Sequence, residues 1–204
     1  MTVRLPGSMA AVGLVLLGGA GCASNSLETP RALSADACRP PETSGLADDF
    51  SAADLSGAWS LWLFADEGEA AGAAAGGRLE LTAWETGEEP LVGGTPASLY
   101  GSTDVGMGDV GAVDTGDPSS EALERPGVLV LQWRESGAER PSVALRLGNR
   151  SNRLDRMAFD DAYTALRLVE ATDTTFSGRW ESGAGRGPVA GGRFCAVRES
   201  PSDS

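Results

Sequence analysis

The chain contains no histidine and no lysine; all sixteen basic residues among its 204 are arginine. Without imidazole the usual base for a Ser or Cys nucleophile is missing, and so are the common nitrogen ligands of zinc and copper. Catalysis by carboxylates alone would require two of them facing one another across a cleft. A solvated acidic surface accounts for the acids without such a pair, so the expectation is a non-enzyme with no cofactor and no metal. Positive charge is scarce as well: the net charge is −13, which argues against nucleic acid, because phosphate recognition rests on basic surface. Long apolar runs are also absent. The longest, Met9 to Leu17, has nine residues, whereas a membrane-spanning helix needs about twenty.

That short run is informative by position. Arg4 precedes it and small residues fill Gly18 to Gly21 before Cys22, the layout of a signal peptide over residues 1–21. The segment Leu17-Gly18-Gly19-Ala20-Gly21-Cys22 resembles a bacterial lipobox, with Gly19 standing where that pattern prefers a larger aliphatic residue. The resemblance implies cleavage before Cys22 and acylation of its thiol, as with palmitate, giving a membrane-anchored lipoprotein. Ala23 follows the cysteine with no acidic residue beside it, which resembles sorting to the outer membrane. An ordinary secretory signal that happens to contain a cysteine is the alternative.

Three cysteines is an odd number for an exported chain. Lipidation of Cys22 leaves Cys38 and Cys195, and in an oxidising compartment two thiols are expected to bridge. Such a bridge would enclose well over a hundred residues, worth about 5 kcal/mol in the chain-entropy model. Two buried thiols that never pair are the alternative.

Charge is unevenly spread. From Glu42 to Glu124 seventeen acids accompany the single Arg78, while Arg125 to Arg198 holds twelve arginines and eight acids. The halves should attract within one fold; solvated acidic loops with scattered ion pairs account for the rest.

Residues 22–50, rich in Ser, Pro, Ala and Asp with Pro40-Pro41 at their centre, read as a tether. Beyond it, short apolar or alternating segments recur between glycine-rich turns, the pattern of an antiparallel all-β domain over residues 51–199, with 200–204 a tail. The clearest strands are 57–64, 78–84, 128–133, 143–147, 164–169, 175–180 and 193–198, with weaker ones at 97–100 and 110–113. A helical turn or two is expected at 51–55 and at 152–159. Leu79, Leu81 and Ala83 share one face opposite Arg78, Glu80 and Thr82, a half-buried strand. In 57–64 both faces are apolar, Trp59, Leu61 and Leu63 against Trp62 and Phe64, so its second face needs a cover, for which the tether is a candidate. Eight or nine strands with mostly short connections can remove their edges by closing into an up-and-down barrel. A Cys38–Cys195 bridge would place the last strand beside the first; a two-sheet sandwich is the alternative.

Leu55-Ser56-Gly57-Ala58-Trp59 is echoed by Phe176-Ser177-Gly178-Arg179-Trp180. A glycine there lets a strand bend, and a Trp two residues on can plug a barrel end. Here the chain resembles lipocalins and related small barrels, whose first strand begins Gly-x-Trp and whose Trp packs on an arginine near the last strand. The matching positions are Gly57 and Trp59. Alternation from Phe194 through Ala196 puts Arg198 inward as the partner and Cys195 outward towards Cys38. In that family these positions are structural, so the resemblance implies stability from them and, for the whole, a carrier of a small apolar or amphipathic ligand.

Other runs invite chemistry more weakly. Asp104, Asp109 and Asp114 recur at five-residue intervals, but they fit neither the EF-hand nor the nonapeptide calcium pattern; short strands with acidic turns are expected instead. Gly183 to Gly187 reads as a hairpin rather than a phosphate loop, as no helix follows it. Arg150, Arg153 and Arg156, with Asn149 and Asn152, would converge on an anion if their connection curls into a turn; pairing with the acidic half is the alternative. Three functions remain open: a membrane-anchored carrier, an envelope lipoprotein whose barrel is an interaction surface, and a proteinase inhibitor. The last follows from a resemblance of Leu55 to Trp59 to the Leu-x-Gly-x-Trp-like opening of bacterial periplasmic metalloprotease inhibitors.

Overall fold

The computed structural model describes residues 45–85, 87, 89, 91–92, 94–118, 127–148, 162–185 and 187–200. The described chain is all-β: β1 (Gly57–Glu67), β2 (Ala74–Ala83), β3 (Leu91–Val92), β4 (Thr95–Thr103), β5 (Val128–Trp133), β6 (Ser142–Leu147), β7 (Tyr163–Ala171), β8 (Thr175–Ala184) and β9 (Gly187–Arg198). Every strand pairing is antiparallel. β1 lies between β2 and β9, β4 to β9 follow in order, and β2 pairs with β4, so eight strands close into a ring. β3 stands outside it, paired with β4 alone. The fold is therefore an up-and-down barrel rather than a sandwich, and closure leaves those eight strands no free edge.

Alternation decides what fills the ring. On β1, Trp59, Leu61, Leu63 and Ala65 point inward and are buried, and the register sets at least one small residue beside each leucine. Leu61 lies opposite Gly77 and Ala196, and Leu63 opposite Ala75 and Phe194. Large beside small is how a narrow barrel fills without strain. Trp59, Leu61, Leu63, Leu79, Leu99, Val130, Leu145, Leu166 and Phe194 are all 0% exposed and belong to one continuous core.

Both ends are plugged. At one, a 3-10 helix (Ala52–Leu55) buries Ala52 and Leu55, with Ser51 accepting from the Ala53 amide. Gln132, inward at the end of β5, holds the plug: its Oε1 accepts from the Ala52 amide at 2.6 Å and its Nε2 donates to the Phe50 carbonyl at 3.0 Å. At the other end, residues 104–118 cross the barrel and bury Val105 and Val110. The strand expected at 110–113 does not form. Met107–Val110 is a 3-10 helix ended by Gly111 at φ 73, a left-handed turn that an extended run cannot contain. Val110 instead serves with Val105 as an apolar stopper, its own burial worth about 1.5–3 kcal/mol.

Two smaller apolar clusters lie on the outside. Phe64 and Cys195 pack with Trp62, the second face of β1. Val92, Ala97, Leu129 and Leu131 pack with Trp84, Tyr100 and Trp133 around β4 and β5.

Candidate functional site

The residues singled out for the barrel end meet there. Gly57 begins β1 with φ 124, and a Cβ on it would lie 2.9 Å from Arg198 Nη1. Two residues on, Trp59 is fully buried and its indole Nε1 donates to the Leu55 carbonyl at 2.8 Å. Arg198, opposite Trp59 in the register, lies with its guanidinium carbon 4.0 Å from the ring centroid. The same guanidinium donates three hydrogen bonds to carbonyls, from Nε to Asp173, Nη1 to Ser56 and Nη2 to Asp54, each at 2.7 Å. One planar cation thus ties the β7–β8 turn, the plug helix and the start of β1. Phe176 closes the cluster, edge-on to Trp59 at 4.7 Å. The hydrogen bonds recorded for this cluster, one from Trp59 and three from Arg198, all end on protein carbonyls, as a structural role requires.

The echo around Gly178 has a different reason. A Cβ there would lie 2.8 Å from the Phe194 ring and 2.0 Å from the Arg167 carbonyl, so this glycine makes room for a neighbour. Its Trp180 points inward, and the indole donates to the Phe64 carbonyl at 3.1 Å.

Cys195 faces outward opposite Trp62 and is disulfide-bonded; Cys38 and Cys22 lie outside the described residues. So do Arg150, Arg153 and Arg156, together with the helical turn expected at 152–159.

The acidic run 104–118 is occupied with closing the barrel. Asp104 Oδ1 accepts from the Arg78 amide at 2.5 Å and Asp114 Oδ1 from the Gly116 amide at 3.0 Å. Thr115 Oγ1 donates to the Leu147 carbonyl at 3.3 Å. The Val113 amide donates at 2.9 Å to Ser182 Oγ, which is fully buried, lies 2.8 Å from Thr164 Oγ1 and donates to the Tyr163 carbonyl. Among the described residues no group of acids or thiols is arranged to hold a metal.

Ion pairs join the acidic and basic halves at Asp66–Arg193, 2.8 Å, and Asp48–Arg140, 3.6 Å. Burial pushes the Tyr163 phenol above its ordinary pKa, with the Glu181 carboxylate adding to the rise and Arg167 opposing it. Burial lowers the pKa of the Arg146 guanidinium, which is 4% exposed on the outer face.

Four described depressions, of about 300, 230, 270 and 180 Å3, are lined largely by outward residues or by the plug end, such as Glu80 and Tyr100, Trp133 and Arg140, Asp66 and Arg193, and Arg167 and Arg179. Gln132 and Ser182 belong to no motif in the sequence. Each is a polar residue at an inward position of a strand whose other inward residues are mostly apolar, and that break in pattern was the available signal. No family model, curated protein or solved structure matches the chain.

Proposed function

We propose that the chain is an envelope lipoprotein, anchored to the outer membrane through acylated Cys22, whose barrel is not an enzyme and acts through its outer surface. The observation that supports action through the outer surface is an interior filled by the described side chains. A closed barrel is compatible with a carrier, but room for a ligand would appear as accessible surface on the inward side chains. Trp59, Leu61, Leu63, Leu79, Leu99 and Phe194 have none. Both mouths are also stoppered, by Leu55 at one end and by Val105 and Val110 at the other.

Two experiments test the reading. Lauric acid should leave the tryptophan fluorescence unchanged, since Trp59 and Trp180 occupy the space a carried lipid would need. Saturable quenching would revive the carrier. Cys22→Ala should move the protein from the membrane to the soluble fraction; unchanged membrane association would remove the anchor. Inhibition of a secreted metalloprotease by the full chain would favour the inhibitor reading instead.

A further inference from the structure

The ring of strands is unzipped where β6 leaves the plug end. Of its six residues, the four from Ala144 to Leu147 pair with β7, whereas Ser142 and Val143 pair with β5 alone. β7 bulges at the same level, its register with β8 slipping between Leu168 and Glu170. None of the turn and loop bonds among the described residues replaces the missing rungs. A cleft of about 230 Å3 opens at this gap, with Leu46, Trp133, Val143 and Leu168 among its apolar lining and Arg140 and Arg167 as its charged residues.

Charge sets this cleft apart. The described depressions at Glu80, at Asp66 and at Glu67 with Glu181 each hold a carboxylate, whereas the charged lining here is two arginines. Arg140 Nε lies 3.6 Å from Asp48 and Arg167 Nη2 lies 3.8 Å from Glu181, both arginine side chains being 58% exposed. Ion pairs so open to water contribute little, and they exchange readily for a better-placed anion.

We propose that the cleft takes the C-terminal residue of an extended partner polypeptide, one that ends in a bulky apolar side chain. Each part of that ligand answers a feature of the gap. The unpaired edge at Ser142 and Val143 offers backbone donors and acceptors to a chain lying alongside, as a sheet edge does to an added strand. The apolar wall receives the last side chain, and the free carboxylate bonds to the guanidinium groups of Arg140 and Arg167. Other classes leave part of the cleft unused. A small inorganic anion covers none of the apolar wall, and a cation meets two arginines. A long acyl chain overruns an opening two strand residues, or about 7 Å, long, and pairs with none of its backbone groups.

The inference deepens the surface-acting reading and rests on it, naming a polypeptide C-terminus as the partner. Its test is a titration of the isotopically labelled full chain with N-acetylated alanyl-alanyl-phenylalanine as the free acid, with the C-terminal amide of the same peptide, and with 3-phenylpropionate. The free acid should shift the Trp133 indole resonance saturably, that resonance being identified by its loss in Trp133→Phe. The amide should bind at least about tenfold more weakly, as losing a charge-assisted hydrogen bond implies. Arg140→Gln and Arg167→Gln should each weaken binding of the free acid by about tenfold for the same reason, with the melting temperature unchanged because both side chains are 58% exposed. Should Trp133→Phe not fold, those two variants identify the site by their loss of affinity. No saturable shift with the free acid, equal binding of acid and amide, or 3-phenylpropionate binding as tightly as the tripeptide overturns the proposal. A silent peptide titration in a protein that lauric acid also fails to quench removes the proposed occupant and leaves the surface-acting reading standing. Quenching by lauric acid removes the surface-acting reading itself.

Discussion

Arg198 shows how much one side chain can fix. Its three charge-assisted bonds end on carbonyls of Asp54, Ser56 and Asp173, and its plane covers Trp59. Arg198→Lys keeps the charge but lacks the planar fork, so it should lower stability by about 2–3 kcal/mol, from bonds worth about 1.5–3 kcal/mol each that are only partly replaced. Denaturant unfolding measures this, and a variant as stable as the parent would mean that solvent replaces those bonds. Ser182 is the counterpart at the far end. Ser182→Ala leaves the Val113 amide without its acceptor and should cost about 1–3 kcal/mol, seen as a lower melting temperature. Tyr163 adds a pH dependence. Its phenol pKa is raised above the ordinary 10.0 in the fold, so the folded state retains a proton that the unfolded chain releases. That contribution is fully present below pH 10 and is lost as pH rises towards the folded value. The melting temperature of the native chain should fall more steeply above pH 10 than that of Tyr163→Phe.

Among the elements, the strands were the part most legible from sequence. Leu79 and Leu81 alternate with Glu80 and Thr82, and β2 follows that alternation inward and outward. β5 spans Val128–Trp133, the bounds its apolar run marks. Glycine-rich stretches were harder, because a residue able to turn either way leaves no periodic signal. Val110 to Val113 looked like strand because apolar residues cluster there, but of that run the stopper requires only Val110, which is buried, while Val113 is partly exposed. Val110→Asp should therefore destabilise the barrel by several kcal/mol, since a buried unpaired carboxylate is costly, whereas Val113→Asp should be mild. Equal effects would argue for the strand. The depression between β2 and β4 was not legible at all. Thr82 and Tyr100 are eighteen residues apart, and only the β2–β4 pairing that skips β3 makes them neighbours.

At the level of the whole molecule, sulfur counting bears on how the ends are held. Cys195 is bonded and faces outward beside Trp62 and Phe64. Non-reducing peptide mapping is expected to recover it linked to Cys38; a link to Cys22 would contradict the lipid anchor as well. The closing seam has a further consequence for how the protein is made. β1 must find β9, which lies more than a hundred residues later in the chain, and neither can bury Leu61 or Phe194 without the other. Contacts so distant form slowly and late. Until its final strand has left the ribosome the nascent polypeptide has no ring to complete.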